Sequence, residues 1–339
     1  MAESLQNIKS RLGAVKNIGQ ITKAMEVVSA TKMRKSQEAA LSSRPYAFFS
    51  LELLGKLLPP SLKFMPPGKK SDFPGKPDFT EGGFFGGLMD KREIKTTLVV
   101  IVASDRGLAG SFNAQVFRLC DRMISKDSFA GVPGHGYIFA AVGKKAENFV
   151  LKNKWQLFAK FHGFGDFIES GEVAPLAVLL ADGYISGKFD RVLTVSTHFR
   201  TALFQEVLTR QILPLDPEKI EQAVKEIVPE HGKYSEATRV PGRGGDRVTQ
   251  FAESIDYILE PAPAEILNSL IPHLFKMQIY HIILEANASE HSARRVAMKS
   301  AADNADEIST DLSISYNKVR QASITGELIE ITGTQSALA

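Results

Sequence analysis

Cysteine is almost missing: Cys120 is the only one in 339 residues. An intramolecular disulfide and a multi-cysteine metal centre are therefore excluded, and the usage suits a reducing compartment. Long apolar runs are absent as well. The longest, "TLVVIVA" at 97–103 and "LAVLLA" at 176–181, fall far short of the roughly 20 residues that span a bilayer. The opening residues, "MAESLQNIKSR", lack the apolar stretch of a secretory signal and enter a helical pattern at once. A net charge of +3 is too small to imply a nucleic-acid partner. The chain is expected to be soluble and unprocessed, with no direct membrane insertion. If it works at a membrane, something else holds it there.

Catalytic signatures are missing too. The seven histidines show neither H-x-x-x-H nor H-E-x-x-H spacing, and no serine lies in a G-x-S-x-G turn. His291, between Glu290 and Arg294, reads as a solvated helix residue. "SDRGLAGSFN" at 104–113 follows one predicted strand and opens a predicted helix, where α/β proteins bind phosphate. It fits neither G-x-x-x-x-G-K-[ST] nor G-x-G-x-x-G. Gly107 and Gly110 are read as permitting a tight turn, while Asp105 and Arg106 pair locally or touch a neighbour. The acid pair Asp303 and Asp306 falls on a wet helix. No catalytic, cofactor-binding or metal-ligating residue is assigned.

What is present is ordinary core material in an unusual layout. Apolar residues make up 44% and charged residues 23%, so a core can form, and the length suggests about two structural units. Residues 1–58 read as an N-terminal helix. Leu5, Ile8, Leu12, Val15, Ile18, Ile21, Met25 and Val28 step by three or four and make one stripe, and Pro45 is expected to bend or break it. Residues 59–94 form a Pro/Gly-rich insertion without period, read as a long exposed loop. Residues 95–260 alternate strand and helix. "KTTLVVIVASD", "GYIFAAVG", "FDRVLTVSTHF" and "FQEVLTRQILPL" are the extended pieces, which predicts a largely parallel sheet covered on both faces. Residues 216–250 again look irregular. From 261 to 339 the chain is helical, with Pro272 as one breaker. Its surface is broadly apolar at Leu267, Leu270, Ile271, Leu274, Met277, Ile282 and Leu284. It turns small at Ala297, Ala301, Ala302 and Ala305, then narrow at Ile308, Leu312, Tyr316 and Val319. A helix over 264–331 would be roughly 100 Å long. It must project, and the simplest partner for its narrow stripe is the N-terminal helix, as a coiled coil.

The first 44 residues carry eight basic side chains against three acidic ones. On a projecting rod that excess suits an acidic partner surface, because such attraction is long-ranged and tolerant of position.

Three blocks then carry a family resemblance: "IKSRLGAVKNIGQITKAMEVVSATKMRKSQ" at 8–37, "SDRGLAGSFN" at 104–113, and "ASEHSARRVAMKSAADNADEISTDLSISYNKVRQASITGELIEI" at 288–331. They resemble the gamma subunit of F-type ATP synthases, the central rotor shaft, and the similarity runs from end to end. The long insertion is the main departure; Gly110–Ser111 and Arg295 also look less usual. The resemblance implies an antiparallel coiled coil of the two terminal helices plus a central Rossmann-like α/β domain. It implies a non-catalytic subunit without cofactor that passes rotation of a membrane c ring to three catalytic beta sites. The implied partners are the alpha and beta subunits, an epsilon subunit and the c-subunit ring. By the same resemblance Lys23, Met25, Arg320, Gln321 and Thr325 contact the beta subunit, and Arg294 is a polar position of the coiled coil. Thr197, His198, Phe199 and Gln205 lie toward the c ring and epsilon. The lone Cys120 rules out the cysteine-pair switch of the chloroplast form. The start of the chain leads to an expectation of a bacterial protein on the cytoplasmic face of the membrane. Two other classes stay open: an α/β enzyme with helical arms, which would bind nucleotide tightly in isolation, and a static coiled-coil scaffold, which would tolerate cross-linking to its partner.

Overall fold

A computed structural model describes residues 4–42, 53, 85–89, 91–126, 136–165, 168–215, 260 and 263–337. The elements in chain order are α1 (Leu5–Ser42), α2 (Phe85–Met89), β1 (Thr96–Val102), α3 (Phe112–Lys126), β2 (Gly136–Val142), α4 (Lys144–Lys152), β3 (Leu157–Phe161), α5 (Ala174–Ile185), β4 (Arg191–Phe199), β5 (Gln205–Leu213) and α6 (Pro263–Ala337). The expectations for Pro45 and for residues 216–250 lie outside the described residues, as does most of the 59–94 insertion. Its described helical part corrects the loop reading: α2 buries Leu88 completely, and Gly87 passes so close to Ile185 that a Cβ there would meet it at 3.0 Å.

The sheet has the order β3-β2-β1-β4-β5. β3, β2, β1 and β4 run parallel, and β5 returns antiparallel at the edge. β1, "TTLVVIV", is β-branched and buried on both faces, as a central parallel strand must be when helices cover both sides. Successive side chains alternate between the two layers. Val99, Ile101, Phe139, Ala141 and Val195 pack with Val116 and Cys120 of α3 and with Ala146 and Val150 of α4. Leu98, Val100, Ile138 and Ala140 pack with Leu176 and Leu180 of α5 and with Leu274, Ile279 and Ile283 of α6. The first third of α6 is therefore a structural part of the α/β domain.

The rest of α6 leaves that domain. The helix runs unbroken through Pro272 for 75 residues, roughly 110 Å at 1.5 Å per residue. α1 packs along it. Gly19 of α1 faces Ala305 and Asp306, whereas Ala39 and Ala40 join the cluster around Leu270–Ala286. Rising numbers on one helix thus meet falling numbers on the other, and the coiled coil is antiparallel.

Candidate functional site: the projecting coiled coil and its socket

The seam of the coiled coil follows a heptad. On α1 it is Ile8, Leu12, Val15, Gly19, Thr22, Glu26, Ser29, Met33 and Ser36, alternating steps of four and three, all buried or half-buried. On α6 it is Met298, Ala302, Ala305, Ser309, Leu312, Tyr316 and Val319, with the same alternation. Such a repeat keeps one narrow face on its partner. Small residues let the backbones approach: a Cβ on Gly19 would sit 3.4 Å from that of Ala305. Two hydroxyls within the seam bond inside α1, Thr22 Oγ1 to Ile18 O and Gly19 O at 3.0 Å and Ser29 Oγ to Met25 O at 2.7 Å.

This seam corrects the stripe expected from sequence. Ile18, Ile21 and Val28, placed on it by their apolar spacing of three or four, are 54%, 59% and 52% exposed, and Ile308 is 48% exposed. The close approach at Gly19 leaves no room for a large side chain at that position. Those residues stand beside the seam, and with Val27, Ile314 and Ile324 they form apolar positions on the outside of the rod.

At its base α6 runs past the carboxyl ends of the parallel strands. In this strand order that edge carries the switch point between β1 and β4, where open α/β sheets bind ligands. Here the helix fills it. Arg294 Nη2 donates to Gly107 O, after β1, at 3.3 Å and to Glu290 Oε1 at 2.5 Å. Ser292 Oγ donates to Ala202 O, after β4. Asn287 Nδ2 donates to Phe164 O at 2.5 Å, and His291 Nε2 lies 3.3 Å from Gly165 O, both after β3. Gly110, at φ +56°, brings the β1–α3 loop against α6, so that a Cβ on it would sit 3.7 Å from that of Ala297.

Two other polar residues of "SDRGLAGSFN" hold the loops of the α/β domain together. Asp105 accepts from Lys144 N and Gly163 N, both at 3.0 Å, and so ties the ends of β1, β2 and β3 together. Ser104 Oγ donates to Arg106 O at 2.6 Å and accepts from Asn113 Nδ2 at 2.8 Å, while Asn113 Oδ1 accepts from Ser104 N at 3.1 Å. Asp105 thus engages neighbouring loops, one of the two alternatives left open for it.

Between β4, β5 and α6 lies a buried ionic cluster. Glu285 Oε2 is 3.0 Å from His198 Nδ1 and 2.9 Å from Arg210 Nη1, with the Glu285 side chain 8% exposed. Burial is the largest influence on Glu285 and by itself pushes its carboxyl up. The His198 hydrogen bond and the Arg210 charge together outweigh burial and hold the group below the usual carboxylate range. Glu285 is therefore the ionised acceptor of the cluster.

Among relatives of known name, the ATP synthase gamma chain of Roseiflexus castenholzii is 34% identical over 337 residues, covering 99% of each chain. That of Chloroherpeton thalassium is 31% identical over 336 residues, covering 99% of this chain and 98% of the other. A family model described as ATP synthase matches residues 4–338. The chain belongs to the ATP synthase gamma family. It is a central-stalk rotor subunit, part of a rotary ATP synthase complex. A chain in the cryo-EM structure of the Euglena gracilis mitochondrial ATP synthase (OSCP/F1/c-ring, rotational state 3) shares the fold, with TM-score 0.57, 19% identity, and 98% of this chain and 94% of that one covered. Among the described residues, no helix is long and apolar enough to cross a membrane, and no group of histidine, cysteine and acidic side chains could hold a metal ion.

The gamma-family positions named from sequence separate into three places. Lys23 is exposed and Met25 half-buried on α1. With Gly19 level with Ala305, Met25 is level with about residue 299, roughly 30 Å along the rod from Arg320. Arg320, Gln321 and Thr325 share the exposed end of α6, where Thr325 Oγ1 donates to Gln321 O at 2.9 Å. Arg294 sits in the socket against the β1–α3 loop, not along the seam with α1. Thr197 and His198 are buried on opposite faces of β4. Gln205 Nε2 donates to Ser292 Oγ at 3.3 Å, and Phe199 is half-buried at the end of β4. His291, expected to be solvated, is 3% exposed, because the β3–α5 connection and Arg294 cover it. No periodicity signals these long-range partners. The one available hint is polar density, Asn287–Arg294, on a helix that must also cover a sheet.

Proposed function

We propose that this chain is the torque-bearing shaft of a bacterial ATP synthase, peripheral on the cytoplasmic face of the membrane. The α/β domain is its foot, resting on the c ring with the epsilon subunit. The coiled coil stands in the cavity of the alpha–beta hexamer. Ion flow turns the ring, the foot turns with it, and the rod presents a different side to each catalytic beta site in turn. A shaft acts on those sites only through differential contact with their states, so the chain carries no catalytic residue of its own.

The observation that carries this reading is the two-part character of α6. Its base is built into the α/β domain. Its outer half holds α1 by a narrow seam and leaves Ile308, Ile314 and Ile324 exposed. Apolar side chains repeated along a projecting rod fit a sleeve that encloses it on all sides. The catch formed with the beta subunit is assigned to Arg320, Gln321 and Thr325, and a second contact, with an acidic beta loop, to Lys23 and Met25. The ring side is reassigned. Thr197, His198, Phe199 and Gln205 lie toward the end of the foot from which the rod leaves, so the ring side falls at the opposite edge, where β1, β2 and β4 begin at Thr96, Gly136 and Arg191.

The test is ATP hydrolysis by the cognate alpha and beta subunits with and without this chain. Assembly at one copy per hexamer with a sharp rise in turnover is the expected result. Failure to associate, with unchanged hydrolysis, would refute the shaft reading.

A further inference from the structure

Tyr280, Asn287 and His291 are seven and eleven residues apart on α6, a spacing that puts all three on one face of the helix. Each reaches a main-chain carbonyl of the same short connection between β3 and α5. Tyr280 Oη donates to Ile168 O at 3.2 Å, Asn287 Nδ2 to Phe164 O at 2.5 Å, and His291 Nε2 to Gly165 O at 3.3 Å. The chemistry of each donor is fixed. Arg294 Nη1 lies 3.2 Å from His291 Nδ1; the guanidinium can only donate, so Nδ1 accepts and the ring proton sits on Nε2. Burial, with Glu169 and Glu172 nearby, pushes the Tyr280 phenol up, so it keeps its proton.

The opposite side of α6 is held differently. Glu285 is bound to Arg210 and His198, and Ser292 to Ala202 and Gln205. At about 100° per residue, this second group lies roughly 140° around the helix from the first. The apolar contacts between them are non-directional and tolerate sliding. Directional hydrogen bonds on two sides do not. A twist of the helix in either sense stretches one group or the other.

We propose that the carbonyls of Phe164, Gly165 and Ile168 act as a strap that locks α6 against rotation in the foot, with Tyr280, Asn287 and His291 as the residues that pass torque between foot and shaft. The proposal rests on the shaft function above. Without the strap, the foot turns under load while the helix lags behind it. Without load, the joint is not stressed and rotation driven by hydrolysis alone is unaffected.

The experiment uses the complex assembled from cognate subunits with the double variant Tyr280→Phe/Asn287→Leu. It reads hydrolysis by the soluble alpha–beta–gamma assembly and, in sealed vesicles, the ATP-driven membrane potential per ATP hydrolysed. Soluble hydrolysis is expected within about twofold of the parent, while potential per ATP falls about twofold or more, as two missing hydrogen bonds bias the joint toward slip. A second pair separates torque from folding. His291→Gln keeps a donor for Gly165 and is expected to stay near the parental ratio, whereas His291→Leu lowers it. An unchanged ratio in both Tyr280→Phe/Asn287→Leu and His291→Leu overturns the strap, and so does a parallel loss of hydrolysis and pumping. A parental chain that neither assembles nor activates hydrolysis removes the shaft reading itself, an outcome distinct from either.

Discussion

Replacing Glu285 with alanine removes the carboxylate that Arg210 and His198 share in the ionic cluster. The Glu285 and Arg210 side chains are 8% and 14% exposed, so water cannot take the place of the lost carboxylate. Breaking a buried pair by deleting one partner costs about 3–5 kcal/mol, most of it from the charge left behind. Urea unfolding followed by Trp155 fluorescence measures this directly. Trp155 is the sole tryptophan, stacked on Phe139 at 4.5 Å and edge-on to Phe149 at 5.3 Å in the α/β domain. Glu285→Leu combined with Arg210→Met should recover most of the loss, because apolar replacement of both partners removes the buried charge along with its desolvation. The pH dependence has a definite sign. The folded carboxyl lies below its ordinary value, so its stabilisation is complete above the unfolded value, about 4.3, and is lost as pH falls through the folded value. The gap between parent and Glu285→Ala should therefore be flat above about pH 5 and shrink below about pH 4. A loss under about 1 kcal/mol at neutral pH, or a gap that does not shrink in acid, would refute the assignment of Glu285 as an ionised, pair-forming group.

Three further outcomes are expected. Burial, then the neighbouring Asp121 charge, pushes the Cys120 thiol up to about 12, so a thiol reagent at pH 8 should label the chain only as it opens; rapid stoichiometric labelling of native protein would contradict the packing of α3. Gly19→Leu drives a side chain into a gap already filled by Ala305 and should cost about 1–3 kcal/mol in thermal unfolding followed by helical circular dichroism. An unchanged midpoint would mean that the helices are not so close. Deleting residues 321–339 removes a segment whose described side chains, 321–330, are all exposed, so the shortened chain should still enter the complex while ATP synthesis per ion gradient falls. Failure to assemble would count against a catch at that end.

Elements with strong local signals were readable from sequence. β1, β2, β4 and β5 are runs of apolar and β-branched residues, and the unbroken pattern after Pro263 required a projecting helix. β3, "LFAKF", gives no such signal, because it is a five-residue edge strand, half-buried, with Lys160 exposed and paired with Glu147. α2 was hidden by Gly86 and Gly87 in a proline- and glycine-rich stretch. Apolar spacing alone does not locate the seam of the coiled coil. Where two backbones come close, Gly19, Ser29 and Ser36 are the inward residues, and Ile18, Ile21 and Val28 are left outside. The socket was invisible for a different reason. Asn287, His291, Ser292 and Arg294 look like a solvated stretch, and each is satisfied by a carbonyl 90 or more residues away. Side-chain type alone cannot distinguish a donor facing water from a donor facing a distant loop.

The chemistry of that socket also favours a shaft over an α/β enzyme. A phosphate site at the carboxyl edge of a parallel sheet needs donors turned toward the crevice, usually main-chain N–H groups at a helix start. Here the loops after β1, β3 and β4 turn carbonyl oxygens inward instead, at Gly107, Phe164, Gly165 and Ala202. An anion placed there would meet acceptors and be repelled; a helix carrying amide, imidazole, hydroxyl and guanidinium donors is the complementary guest. The edge where other sheets of this order take a ligand therefore takes the chain's own C-terminal helix. Filling it builds the base of α6 into the α/β domain.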